Sequence, residues 1–425
     1  MKKLYPLAVA FLFAFPSHAQ WSQVGANNTN NTVLALFTDT VNNLLYVGGD
    51  FTAPGTRVMS WNGSGFTALG TGMNTSVYCF CIYNGELYAG GNFTTADGNP
   101  ASKIAKWTGS AWQALGVGVN NNVYAMAVYG GELWVGGSFN AAGGNQSYNL
   151  AKWNGSTWIA MGTNTGGPVR SFLVYNGELY AGGSFNSIQG VPANNVAKWN
   201  GSSWTALGQG TNSVVLALEA FNGQVYAGGQ FTTADGSPAN YIARWNGSAW
   251  SAVDGGMDNF VNGLDVLNGR LYAGGSFLTA GSVTANRVAS FSGTSWAVTD
   301  ANGTNNTVYA VARYGSHLYA GGLFTLAGGA FAFNIAKWLP LSIGESELPV
   351  RPGFSVYPNP ATDRITLSSV EPDSRISLMN VFGELILPRR TGYNSFDLSG
   401  LDAGIYIITV ETGDGYIRAE TIVKQ

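Results

Sequence analysis

A Gly-Gly pair recurs seven times along this chain at nearly constant spacing. It stands at Gly48-Gly49, Gly90-Gly91, Gly136-Gly137, Gly182-Gly183, Gly228-Gly229, Gly274-Gly275 and Gly321-Gly322, with gaps of 42, 46, 46, 46, 46 and 47 residues. A period of this length commits most of the chain to stacked copies of one small unit, so the copies must be aligned before any residue is read for chemistry. The copy over 123–162 is the cleanest. Val123–Tyr129 is β-rich and alternates, Gly130-Gly131 turns it into Leu133–Phe139, and a polar loop leads to Leu150–Trp153. Asn154-Gly155 then turns into Trp158–Met161. These are four short strands, a to d, with hairpin signals between a and b and between c and d.

Asn-Gly turns recur in the same places: Asn84-Gly85, Asn176-Gly177 and Asn222-Gly223 between a and b, and Asn62-Gly63, Asn200-Gly201 and Asn246-Gly247 between c and d. Both residues of such a turn are expected at positive φ. Twelve of the thirteen tryptophans fall into two columns. Trp61, Trp107, Trp153, Trp199, Trp245 and Trp338 lie on strand c; Trp21, Trp112, Trp158, Trp204, Trp250 and Trp296 lie on strand d. With Phe291 and Phe66 completing the two columns, a large aromatic in every copy points to packing between units rather than to a row of sugar platforms. Four strands per copy and seven copies predict an all-β fold, a seven-bladed β-propeller. The segment from Trp21 (WSQVG) matches strand d, whereas the seventh copy ends at Trp338 without one. The first segment is therefore expected to complete the last blade, closing the ring and leaving no open sheet edge.

The Gly pair after an apolar strand, with a tryptophan downstream, resembles the kelch family and galactose-oxidase-like propellers over Trp21–Trp338. The local pattern LYAGGSF…AKWNGSxWxALG is similar to kelch-like repeats of secreted surface proteins. The resemblance implies a fold, not a ligand.

Strand alternation puts the b–c and d–a loops on one face, and these vary most. They make that face the expected ligand side, for carbohydrate or protein. Its d–a loops carry Asn74, Asn120, Asn212, Asp258 and Asn305 in one column. Turn chemistry alone also calls for such residues. On strand a, the fifth position reads Phe37, Cys81, Ala127, Leu173, Glu219, Asp265 and Ala312. Glu219 and Asp265 thus fall on neighbouring blades near the central channel. There they form either an acid/base or cation-holding pair, or carboxylates solvated by channel water and near Arg313. An enzyme of this kind, a glycan hydrolase or lyase, could also draw on the acidic loop Asp254–Asp258.

The chemistry available is otherwise sparse. Beyond position 19 His317 is the one histidine, too few for a copper site of the galactose-oxidase kind. Nucleotide, zinc-protease and serine-hydrolase motifs are lacking, so neither a cofactor nor a metal is expected. Cys79 and Cys81 share one strand face, roughly 6.6 Å apart, a geometry that disfavours a bridge. The first nineteen residues read as a signal peptide: a basic Lys2-Lys3, an apolar Leu4–Phe15 and a Ser17-His18-Ala19 cleavage site. Their removal leaves 18 basic against 23 acidic residues. No basic stripe marks a nucleic-acid partner, and no stretch is long enough for a transmembrane helix.

The repeat stops after Trp338. A Pro-bearing linker is expected over 339–353, followed over 354–425 by a separate small Ig-like β-sandwich without tryptophan. SVYPNPATDRITL, LMNVFGELI and FDLSGLDAGIYIITVETGDGYIRAETIVK resemble the C-terminal sorting domain of the type IX secretion system of Bacteroidetes. Tyr357, Pro358, Asn359, Pro360, Gly383, Leu398, Leu401, Gly404 and Tyr406 match its motif positions, with Lys424 in its basic end. The resemblance implies passage through the outer membrane, with that system's translocon and sortase as partners. The resulting expectation is a secreted or surface-displayed binding module, with a secreted glycan-degrading enzyme as the rival.

Overall fold

The Gly-Gly pairs hold their places because a side chain there has nowhere to go. A Cβ on Gly90 would stand 2.5 Å from the Val123 side chain of the next copy, and one on Gly91 would stand 2.1 Å from the Ser76 carbonyl. The same two clashes recur around the repeat, and Gly321 of the last copy meets Val33 of the first. The first glycine of each pair therefore lets one sheet press against strand a of the next.

In the computed structural model, residues 21–25, 29–162, 164–300 and 302–339 are described, together with 356–368, 375–380, 385–386, 389–392, 394–411 and 417–425. The signal segment 1–19, Gly383 and all of the 339–353 segment except Leu339 lie outside them. The described residues contain strands and no helix. No helix is therefore long and apolar enough to cross a membrane. Two units separate, Met1–Leu341 and Ser342–Gln425.

The first unit holds seven antiparallel four-stranded sheets, each ordered a-b-c-d. Sheet 3, for example, is Val123–Tyr129, Glu132–Gly137, Leu150–Trp153 and Trp158–Ala160. Strand a of each sheet adjoins strand a of the next, and that of the first sheet adjoins that of the seventh. In the seventh sheet, Trp21–Gln23 pairs with Ile335–Trp338 in the register Trp21↔Trp338. The unit is all-β, with its core between successive sheets. On strand d, the Trp112, Trp158, Trp250 and Trp296 indoles each donate to a carbonyl of the preceding sheet's end, at 2.8–3.3 Å. Trp61 on strand c donates to the Tyr319 hydroxyl at 3.1 Å, from the first sheet to the seventh. These tryptophans are packing elements between sheets.

Two features differ from the sequence reading. In six copies the a–b turn has two residues, as where Asn84 and Gly85 take φ of 51° and 77°, while the first copy has four between Asp39 and Leu44. The c–d turns have four: Trp61 pairs with Phe66, only Gly63 is at positive φ, and Asn62 Oδ1 caps the Ser64 and Gly65 amides. One dipeptide thus builds two turns, and the distance between the paired strand ends decides which. The b–c connections, read as polar loops, contain a small hairpin of two-residue strands in six copies, such as Thr95–Ala96 with Asn99–Pro100.

The second unit holds two four-stranded sheets whose strands share one buried cluster. Ile365, Leu367 and Phe396 come from one sheet, and Leu378, Ile408, Val410 and Ile422 from the other.

Candidate functional site

The seven strands a converge on one cavity of about 240 Å³. Its floor comes from the fourth position of each strand: Leu36, Phe80, Met126, Phe172, Leu218, Leu264 and Val311. The third position is small in every copy, Ala35, Cys79, Ala125, Ser171, Ala217, Gly263 and Ala310, which leaves room above that floor. The second position, nearest the d–a loops, forms the mouth. There Tyr78, Tyr124 and Arg170 stand on three consecutive sheets, with Asn262 and Tyr309 further round.

The mouth is a built arrangement. Tyr78 and Tyr124 have ring centroids 5.7 Å apart, and the Arg170 guanidinium lies 4.3 Å over the Tyr124 ring. Asn122 Nδ2 donates to the Tyr124 hydroxyl at 3.0 Å. Burial pushes that hydroxyl's pKa up, but hydrogen bonds with Asn122 and Ser138 and the Arg170 charge bring it below the ordinary value. Arg170 Nε and Ser171 Oγ are buried without a partner. Arg170 has no ion pair among the described residues. Reading down the fifth position alone misses this cluster. The signal available in the sequence was the second position, which breaks from apolar to Tyr, Tyr and Arg in successive copies.

Glu219 and Asp265 do not line this cavity. They stand one position below the apolar floor, toward the a–b turns. Asp265 accepts from its neighbour's amide (Val266, 2.6 Å) and from the Arg313 backbone N–H of the next sheet. Glu219 Oε1 accepts from the Ala220 amide at 3.0 Å. Burial, and then the Asp265 charge, push the Glu219 carboxyl up to about 7, partly offset by Ala220 and Arg313. Asp265 is also raised, again chiefly by burial. Arg313 is exposed, and its guanidinium donates to the Val266 carbonyl at 3.3 Å. No group of three metal-ligating side chains occurs among the described residues.

The loop column is occupied by its own structure. Asn74 Oδ1 accepts from the Thr94 and Thr95 amides while its Nδ2 donates to Thr94 Oγ1. Asn212 and Asn305 repeat all three contacts one copy to the next. Asn120 and Asp258 keep the two amide contacts. These five residues tie each d–a loop to the following b–c hairpin, so their acceptors are already engaged. Asp97, Asp235 and Asp254 add a second tie, each accepting from the amide of a strand-d tryptophan. The fourth copy has Gly166 where the others have Asn or Asp. Beside it lies a second, larger cavity of about 500 Å³, lined by Asn186, Asn194, Gln209 and Asn212.

His317 and the two cysteines add no chemistry. Burial and the Lys337 charge lower the His317 pKa. Cys79 and Cys81 are free thiols, and burial drives the Cys81 pKa up to about 12.

In the second unit, the motif residues from both ends of the segment meet. Asn359 bridges to the last strand through Nδ2 to the Thr421 carbonyl (2.6 Å) and Oδ1 from the Val423 amide (2.9 Å). Ala361 next to Pro360 pairs in parallel with Lys424. Lys424 also pairs with Gly404, and the Tyr406 hydroxyl donates to the Asp402 carbonyl at 2.8 Å. Tyr357 and Pro358 remain exposed.

The family model of the secretion system C-terminal sorting domain matches residues 355–424. A β-propeller family described as a domain of unknown function (DUF5122) matches residues 222–247, within the fifth sheet. The chain thus combines a β-propeller with a type IX sorting tail, and the tail implies export to the cell surface or the medium. Among solved structures, it is similar to PorZ, an essential bacterial surface component of the type-IX secretion system of Porphyromonas gingivalis. Identity is 14% and the TM-score 0.48, over 94% of this chain and 60% of that one. It is also similar to the computationally designed Ika8 protein, at 14% identity and TM-score 0.45, over 75% of this chain and 99% of that one. No curated protein matches the chain.

Proposed function

We propose that this protein is a secreted or cell-surface binding module. In this reading the seven sheets are kelch-like blades of one closed ring, completed by Trp21–Gln23. Carbohydrate or protein is bound on the loop face. Residues 1–19 direct export to the periplasm, 20–338 form the propeller and 339–353 a linker. Residues 354–425, an Ig-like sandwich, engage the type IX translocon and are removed by its sortase. The observation that carries the binding role is the cup on the loop face, where an aromatic pair and a cation with an unpaired buried donor surround an apolar floor. Pockets that orient a ligand combine such an apolar base with a few convergent polar groups.

A second reading, a glycan hydrolase or lyase, draws support from Glu219, whose carboxyl is raised toward neutrality as a general acid requires. Against it, both carboxylates already accept backbone N–H groups and lie outside the cup. A glycan array, a surface-protein capture assay and a polysaccharide-degradation screen on the exported chain separate the two. Binding without turnover supports the module, and turnover lost in Glu219→Gln supports the enzyme. Deleting 354–425 is expected to trap the protein in the periplasm. Normal appearance in the medium or on the surface would overturn the export assignment.

A further inference from the structure

We infer that the loop-side cup takes a sugar bearing an anionic substituent, a carboxylate or a sulfate, held by Arg170 against the Tyr78–Tyr124 pair. This rests on the binding-module reading and narrows it to a ligand class.

The argument begins with what Arg170 lacks. A guanidinium inside a protein normally finds an acceptor, because a buried donor left unmade is costly. Arg170 has its Nε buried without a partner and no carboxylate in contact among the described residues. The guanidinium stacks on the Tyr124 ring, 4.3 Å from its centroid. Stacking of this kind fixes the plane of the group while leaving the N–H edge free for an acceptor. Asp50 is close enough to Tyr78 to raise its pKa, but it already accepts from the Ser76 hydroxyl. The hydroxyl of Ser171, adjacent in sequence, is likewise buried without a partner.

The rest of the cup fits a ring rather than a bare ion. Tyr78 and Tyr124 present aromatic surface beside the cation, and the floor below them is apolar. A pyranose has apolar C–H faces suited to such surfaces, and hydroxyls able to donate to the amide oxygen of Asn262, whose Nδ2 already donates to the Val308 carbonyl at 2.8 Å. A cavity of about 240 Å³ is small beside drug-sized pockets, so one ring enters while the remainder of a chain lies across the loop face. The charge of the mouth is also one-sided, because the uncharged Leu34, Leu216, Asn262 and Tyr309 occupy the same position elsewhere around it. That sidedness favours a ligand with one charged edge.

Calorimetry on the full exported chain tests the assignment with four probes: oligogalacturonate, dextran sulfate, neutral dextran and inorganic sulfate. At least one acidic saccharide should bind while dextran and sulfate ion do not, and the arm that binds identifies carboxylate or sulfate. Arg170→Ala should weaken that binding about 10- to 100-fold, as expected for loss of a charged hydrogen bond. Arg170→Gln, which keeps the stem, should weaken it similarly at an unchanged melting temperature. Acidic binding that is indifferent to both variants overturns the inference. So does equal binding of dextran, though the module reading then survives. No binding of either acidic probe also overturns it, and the module itself falls only if the glycan array and protein capture are silent as well.

Discussion

The loop end and the turn end of strand a recur in the same seven copies, yet they hold their polar groups differently. At the loop end, beside Tyr78 and Tyr124, Arg170 Nε and Ser171 Oγ are buried without partners. At the turn end Glu219 accepts through Oε1 from the Ala220 amide of its own sheet, and Asp265 accepts through both oxygens from amides of its own and the neighbouring sheet. Both ends depart from the repeat consensus. Of these two clusters, only the one at the loop end leaves buried polar atoms without a partner. A break in a repeat therefore marks a position as special, and the pairing state of its polar atoms says whether it is reserved for a ligand or spent on the fold.

The comparison assumes that both ends stand on one scaffold, and removing Trp21 is the strongest way to break it. Trp21 is 1% exposed and packs 6.4 Å from Trp338. Trp21→Ala should destabilise the first unit by about 3–5 kcal/mol, read in urea denaturation, and both ends should loosen together. A change below about 1 kcal/mol would mean that the first strand does not carry the seventh sheet.

The turn end can be sharpened by pH. The folded carboxyl of Glu219 is raised to about 7, above the ~4.3 of an unfolded chain. The folded state then holds its proton more tightly. Its contribution is full below the unfolded pKa and is lost as pH rises toward 7. Asp265 acts with the same sign. Since water reaches both groups, the loss attributable to Glu219 should be about 2 kcal/mol. Urea midpoints at pH 5 and pH 8 should therefore differ less in Glu219→Gln than in the wild type. Parallel pH profiles would show that the carboxylate is not shielded.

The loop end rests on its ties, and these give the smallest effect. Asn212→Ala removes three hydrogen bonds from an exposed loop and should cost about 0.5–1.5 kcal/mol. Hydrogen exchange should rise at Thr232 and Thr233 while the strand core is unchanged. Lost ligand binding with no change in exchange would instead make Asn212 a contact residue.

The strands, the turn positions and the pairing of Trp21 with Trp338 were legible because each arises from a local rule repeated many times. Alternation marks a strand, Asn-Gly marks a turn, and a Gly pair recurs wherever two sheets press together. The tail was legible for another reason: its motif residues hold the two ends of one segment together, as Asn359 does with Thr421 and Val423, so their spacing is under strong constraint. The site was not legible to the same degree. Asn74 and its equivalents have the composition of a ligand loop, and only the distances to Thr94 and Thr95 reveal them as braces.

What the sequence determined by itself is the class of structure: an all-β repeat chain followed by a non-repeating sorting tail, since periodicity and motif are properties of order along the chain. What only the tertiary structure decided is which polar groups are left over. Whether Arg170 or Asp265 has a partner depends on atoms brought from other sheets, and an unpaired donor is a property of space, not of sequence.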